Sequence, residues 1–542
     1  MMMIPSILSL GLIAATTTAT AIHNDVDPPP PLLRLPLMRK SAAPLAQQQQ
    51  FDKRDPFTTS LYNDQGSQYL VSVGIGTPPQ NFTVTLDTGS ADLWVPSSQC
   101  PRRECPFGGF KESESSTFND HHERFGIQYG IGSVNGTYAT DTVTVAGASV
   151  PNQQFGLATT TESILTATNN QSTVKANGIL GLGYPQLTAA QNQNEKNYNP
   201  FVFNLAKNKI IQDPVFSVYM NRGDQQGWAG EIIFGGVDKS KYTGDLHYLP
   251  VAQLTSSLSP SSNGYYYWMV YGQAIAVKNT PGDNDKTYNL GRQSSSIFGS
   301  GDDDFGFMQQ LRGQHTKRQT SSTSSAAAFI LDTGTTLTYL PTRMALDVAS
   351  RIAGGSDGFK LDRQSGVLLV DCSVAQSSAN VELHMSQTSE PSSSPVVLSV
   401  PASALVIPLD TNSPQNASAC MLGIAPLGSS SGSSGVGSSM LLVGDSMLRS
   451  AYLVFDMGQN RVGIAAANGV QGSVNGVSGS DNSNTGNGND DGNGGGGSST
   501  SSSSSSSSSN NLESLATQSI LQFSRHLLLF VTCFIVSFTH SL

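Results

Sequence analysis

Charge is scarce in this sequence. Of 542 residues only 29 are Lys or Arg and 39 are Asp or Glu, 13% together, about half the share of an average soluble protein. The balance is −10. Nowhere do basic residues cluster with interleaved aromatics, which excludes an obvious nucleic-acid surface. Cysteine is scarcer still, with five in the chain, too few for a disulfide-dense scaffold. No His and Cys residues stand at metal-ligand spacing; His121-His122 is an isolated pair in a polar stretch. Neither a metal nor another cofactor is expected. Long apolar runs are also missing. The two most apolar stretches, residues 4–15 and 527–538, are 12 residues each, short of the roughly 20 that cross a bilayer as a helix.

What the chain does have is a repeat. Asp87-Thr88-Gly89-Ser90 returns 245 residues later as Asp332-Thr333-Gly334-Thr335, each copy directly after an apolar strand-like run. One Asp-Thr-Gly is a common accident. Two in matching contexts supply a symmetric carboxylate pair that can share one proton and activate water. The surroundings repeat as well: Ile179-Leu180-Gly181 follows the first copy and Leu442-Val443-Gly444 the second. Such runs suit a buried strand beside each loop, with Gly permitting close backbone approach. A repeat of this length implies two related lobes, not a solenoid with a period of roughly 20–50 residues.

The pattern between the motifs is mostly β. Residues 68–73, 82–86 and 140–145 alternate polar and apolar side chains and are bounded by Gly or Pro, as half-buried strands do. Short helices are expected near 204–208 and 343–352.

These motifs, taken in order, resemble the pepsin-like aspartic proteases. The resemblance is carried by residues 69–80, both Asp-Thr-Gly copies, Asp92-Leu93-Trp94-Val95, Tyr129-Gly130-Ile131-Gly132-Ser133 and residues 178–183. Val443-Gly444-Asp445 and Arg449-Ser450-Ala451-Tyr452 continue it. It implies a mostly β, bilobal fold with the active-site cleft between the lobes, and a peptide-bond hydrolase that acts on proteins or peptides. It implies that Asp87 and Asp332 hold the lytic water. Thr88 and Thr333 would brace the two loops, Ser90 and Thr335 would hydrogen-bond the outer carboxylate oxygens, and Gly89 and Gly334 would free backbone N–H groups to approach. Tyr129 corresponds to the family's flap tyrosine, Gly130 and Ile131 to the flap tip, and Trp94 to the residue that steadies the tyrosine; plain core packing of both aromatics is the alternative. Ile131 replaces the Ser or Thr common at that tip, and Asn177 stands where Asp often precedes Gly-Ile-Leu-Gly. The resemblance further places disulfides at Cys100–Cys105 and Cys372–Cys420, leaving Cys533 in the C-terminal tail.

The segments around the catalytic region read as processing signals. Residues 1–21 have an apolar core and a small-residue end at Ala19-Thr20-Ala21, as in a signal peptide. Residues 22–54 are rich in Pro and Gln and end in Lys53-Arg54, which resembles a fungal propeptide cleaved by a processing protease. Residues 34–40 look like an inhibitory prosegment whose Arg39 or Lys40 would lie against the carboxylates; a solvated basic linker is the alternative. The lobes are expected at 55–250 and 251–468, with a polar insertion at about 279–325. That insertion carries Asp302-Asp303-Asp304 and Lys317-Arg318. It is either a second processing site, giving a two-chain enzyme, or a solvated loop. Residues 469–511 turn to Gly, Ser and Asn, as a stalk does. Residues 512–542 supply a spacer and a terminal apolar run, the pattern of a GPI-attachment signal.

Sequons stand at Asn81, Asn135, Asn170 and Asn416, so a glycoprotein of the secretory pathway is expected. The anchor signal, dibasic propeptide end and acidic insertion resemble fungal yapsins, which prefer to cleave after basic residues. Asp92 and the insertion would favour such substrates by charge; a solvated face is the alternative for most of these acidic residues. The expected enzyme is a monomer attached to the plasma membrane or cell wall. The alternatives are a soluble secreted or vacuolar acid protease and a non-catalytic cell-wall glycoprotein.

Overall fold

A computed structural model describes residues 56–480, apart from 64–67, 130–131, 166–173, 191–196, 255–262, 291–326, 364, 412 and 428–439. The signal and propeptide segments with Lys53 and Arg54, the flap-tip residues Gly130 and Ile131, the sequon Asn170, residues 291–325 of the insertion and residues 481–542 lie outside the described residues. The fold is mostly β. Among the described residues, thirteen strands form one sheet, ten a second and four a third.

Each half is organised around the strand that leads into its Asp-Thr-Gly. In the first half, Gln80–Asp87 runs antiparallel to Tyr69–Ile75 and parallel to Ile179–Gly181, with Asp87 in register with Gly181. Leu93–Pro96 then pairs antiparallel with Ile179–Gly181 on its other edge. The second half repeats this arrangement. Ala327–Leu331 is antiparallel to Met269–Lys278 and parallel to Met440–Val443, and Thr338–Pro341 pairs antiparallel with Met440–Val443. Ile179–Gly181, Ala327–Leu331 and Met440–Val443 are largely buried, which is why they read as continuous apolar runs. The Gly ending each run is required by contact. A Cβ on Gly181 would stand 2.5 Å from the backbone of Ala91 and Asp92, and one on Gly444 would stand 2.4 Å from the carbonyl oxygens of Thr335 and Leu337.

Strands from late in the chain return to the first sheet. Ala451–Asp456 and Arg461–Ala467, late in the chain, pair with Val215–Tyr219 and Tyr242–Pro250 and so complete the first sheet. All six residues of Ala451–Asp456 are buried, so this strand needs a partner along both edges. Phe455 stacks on Phe216 with ring centroids 4.7 Å apart, and Trp268 packs edge-on against both. One continuous apolar core therefore joins the two halves.

Two stretches of polar composition carry strands. Within the expected insertion, Lys286–Asn289 pairs with residues 274–277, and Tyr288 is buried. The second lies in the expected stalk. Ser473–Val474 pairs with Val396–Pro401 and with Val477–Ser478, and Val470 and Val474 are buried. Isolated valines and a tyrosine anchor stretches whose average composition is polar. Helices occupy Phe201–Lys207 and Thr342–Ile352. The longer one buries Met344, Ala345, Val348, Ala349 and Ile352, the spacing of an amphipathic face. Among the described residues, no helix is long and apolar enough to cross a membrane.

Candidate active site

Asp87 ends its strand, and Asp332 directly follows its own. Both carboxylates are almost fully buried, and each is held the same way. The Gly89 amide donates to Asp87 Oδ1 at 2.8 Å and the Ser90 hydroxyl to Oδ2 at 2.6 Å. The Gly334 amide donates to Asp332 Oδ1 at 2.8 Å and the Thr335 hydroxyl to Oδ2 at 2.9 Å. Charged acceptors make such bonds stronger than neutral ones.

The two loops are tied to each other by a crossed set of threonine bonds. Thr88 Oγ1 donates to the Leu331 carbonyl at 2.7 Å and accepts from the Thr333 amide at 3.0 Å. Thr333 Oγ1 donates to the Leu86 carbonyl and accepts from the Thr88 amide, both at 3.2 Å. All four groups are buried, so each bond also prevents an unpaired backbone group. The glycines complete the fit: each packs on the opposite half's carboxylate. The repeat in the sequence thus becomes one site at the junction of the halves.

Asn119–Tyr129 and Gly132–Val145 pair antiparallel as a hairpin. Tyr129, at the end of its outgoing strand, is buried and accepts a 2.7 Å hydrogen bond from Trp94 Nε1. Cys100 and Cys105 are disulfide-bonded, as are Cys372 and Cys420. Asn81, Asn135 and Asn416 are exposed. Asn177 is buried and donates to the Gly108 carbonyl at 3.1 Å. No group of three or more His, Cys, Asp or Glu side chains is arranged to hold a metal among the described residues.

One expectation fails here. Asp92 faces no substrate: it is 1% exposed, and its carboxylate accepts from the Tyr138 and Tyr198 hydroxyls and the Ala189 amide. It is consumed internally and offers no charge to a basic side chain. Sequence reasoning also gave no role to Asp445. This residue follows the second apolar-apolar-Gly run and is fully buried, and its carboxyl oxygens have no hydrogen-bond partner. Burial pushes its carboxyl well above the ordinary range; the Arg449 charge opposes this, while Asp332 and Asp87 add to it. A third acid, its carboxyl pushed upward by burial, therefore sits within electrostatic reach of the pair. Its signal in the sequence was an acidic residue directly after a run otherwise fit only for a core.

The repeated strand motif and paired carboxylates define a two-lobed acid hydrolase architecture, and comparison with other proteins agrees. A family model described as eukaryotic aspartyl protease matches residues 68–288 and 302–467. Mucorpepsin of Rhizomucor pusillus is 30% identical over 410 residues, covering 75% of this chain and 81% of that protein. Human gastricsin is 30% identical over 401 residues, 74% of this chain and 81% of its own length. Mucorpepsin of Rhizomucor miehei is 29% identical over 479 residues, 85% and 96% respectively. The chain belongs to the pepsin-like eukaryotic aspartyl proteases and is an aspartic endopeptidase.

Proposed function

We propose that Asp87 and Asp332 are the catalytic pair of a secreted endopeptidase that works at the cell surface. The observation that carries the chemistry is the matched support of the two carboxylates, each held by its own Gly amide and hydroxyl and each against the other half's glycine. Peptide hydrolysis needs a base to take a proton from water and an acid to protonate the scissile carbonyl oxygen. One carboxylate serves as base and the other as acid. The tetrahedral intermediate then collapses as a proton passes to the departing nitrogen. Tyr129, steadied by Trp94, would close the hairpin over the bound peptide.

The surface assignment rests on sequence. A Gly, Ser and Asn stretch is followed by a spacer and a terminal apolar run, the order of a GPI signal. The enzyme would be made as a zymogen, cut after Lys53-Arg54 and anchored through a residue within 508–514. A preference for basic residues, as in yapsins, now has only the acidic stretch Asp302-Asp303-Asp304 to support it, because Asp92 is buried.

Cleavage of a peptide library at acid pH by the matured chain tests the chemistry, with Asp87→Asn and Asp332→Asn as controls. Both variants should lose activity by several orders of magnitude; unchanged activity in either sinks the assignment. The same library reports any preference for Lys or Arg. Release of cell-bound enzyme by a phosphatidylinositol-specific phospholipase tests the anchor. An enzyme that resists release and keeps its tail counts against it.

A further inference from the structure

Two side-chain hydrogen bonds link the flap hairpin to Asp92 and Trp94, in the segment that follows Ser90, and the peptidase reaction accounts for one of them. Near its tip, Tyr129 takes the hydrogen bond from Trp94. Along its return strand, buried Tyr138 donates its hydroxyl to Asp92 Oδ1 at 2.9 Å. Tyr198 donates to that same oxygen at 2.8 Å, and the Ala189 amide donates to Oδ2 at 2.9 Å. The Tyr138 ring also meets Phe125 of the outgoing strand edge-on at 5.2 Å and Tyr198 at 5.6 Å. The return strand thus reaches this carboxylate directly, and the outgoing strand packs on the tyrosine that does so.

That carboxylate is itself fixed to the catalytic strand. The Asp92 carbonyl accepts from the Gly181 amide at 3.0 Å, and Gly181 is the register partner of Asp87. Asp92 lies two residues after Ser90, which holds Asp87, and two before Trp94, which holds Tyr129. A carboxylate offers acceptor oxygens to all three donors at once. An amide in its place would have to present its NH2 to the tyrosine oxygens, which would then accept instead of donate. Burial, with the Asp92 charge beside them, keeps the Tyr138 and Tyr198 hydroxyls protonated. Both remain donors throughout the working pH range.

We propose that Asp92 is a positioning residue for the flap: it ties the return strand to the catalytic strand through Tyr138 and so sets the closed position of Tyr129. Flap contacts serve bound substrate and transition state alike, so their loss should appear mainly in KM. The inference concerns the peptidase reaction and does not depend on surface attachment.

The test uses the matured enzyme labelled with 5-fluorotryptophan, in which the three tryptophans give separate fluorine signals, that of Trp94 assigned with Trp94→Phe. Tyr138→Phe removes one hydroxyl and leaves the packing. It should raise KM roughly 10-fold, the scale of one lost hydrogen bond to a charged group, with kcat within about threefold. The Trp94 signal should shift or broaden while those of Trp228 and Trp268 stay in place. Asp92→Asn should act in the same direction, and the Asp92→Asn/Tyr138→Phe pair should be little worse than Asp92→Asn alone. If Asp92→Asn does not fold, Tyr138→Phe carries the test by itself. An unchanged KM and Trp94 signal in Tyr138→Phe overturns the proposal, as do additive losses in the pair. A lower melting temperature with unchanged kinetics also overturns it, because that is the result of a purely structural bond. An inactive wild type would count against the peptidase reading only, since the fluorine signal needs no turnover.

Discussion

Gly89 and Asp332 touch across the two halves of the molecule: a Cβ on Gly89 would stand 2.4 Å from the Asp332 carboxyl, and one on Gly334 would stand equally close to Asp87 Oδ1. Real Cβ atoms do not approach so closely, so any larger residue must displace the opposite carboxylate. Gly89→Ala should therefore damage Asp332, not its own neighbour Asp87. A displacement near 1 Å at a catalytic group costs on the order of 100-fold in rate. Both Gly89→Ala and Gly334→Ala should lose at least that much kcat while remaining folded. Steady-state kinetics with circular dichroism checks this; near-normal turnover in either would refute the contact.

The crossed threonine bonds predict a different kind of loss. Thr88→Val keeps the shape of the side chain but leaves the Leu331 carbonyl and the Thr333 amide without their partner. Thr333→Val likewise strands the Leu86 carbonyl and the Thr88 amide. A buried unpaired group costs about 1–3 kcal/mol, so each variant should unfold at lower denaturant with an unchanged slope. The double variant should be less than additive, since the two hydroxyls serve one junction. Full additivity would mean that the loops are braced elsewhere.

Much of this was legible in the sequence because the chemistry is short-range. Asp, Thr, Gly and a hydroxyl residue in series place amide and hydroxyl donors on one carboxylate whatever the rest of the chain does, and the structure repeats that geometry at Asp87 and Asp332. The apolar-apolar-Gly runs were equally readable, since burial on both faces leaves no alternation. The late strand's return to the first sheet was not. Nothing local in Ala451–Asp456 tells it to pair with Val215–Tyr219, more than 200 positions earlier. Asp92 misled for a related reason: an acid beside an active site looks like a substrate contact until Tyr138 and Tyr198 are seen to enclose it. Those tyrosines lie 46 and 106 positions away.

The two disulfides should contribute unequally. Cys372–Cys420 closes a loop with a separation of 48 residues, and Cys100–Cys105 one of 5. Chain-entropy reasoning assigns about 4 kcal/mol to the longer loop and about 2 kcal/mol to the shorter. Replacing Cys372 and Cys420 together by Ser should thus lower the melting temperature more than replacing Cys100 and Cys105. Equal losses would show that something other than chain constraint sets their value.

Asp445 gives the stability of the protein a pH dependence whose sign can be stated. Its carboxyl is buried beside Asp332 and Asp87 without a hydrogen-bond partner, and burial raises it well above 3.8 in the folded protein. In the unfolded chain the proton leaves near the ordinary value. Between the two, the folded state holds a proton that the unfolded state has released. The stability linked to this group is fully present below about 3.8 and falls as pH rises toward the folded value, by about 1.4 kcal/mol per pH unit. Asp445→Asn keeps the size of the side chain and removes the titration. In an Asp87→Asn background, which prevents autolysis while leaving burial as the main cause of the shift, melting temperatures should be compared from pH 3 to pH 7. The protein carrying Asp445→Asn should match or fall below its parent at the acid end and overtake it as pH rises. Parallel curves would mean that Asp445 titrates alike in both states and is not held protonated in the core.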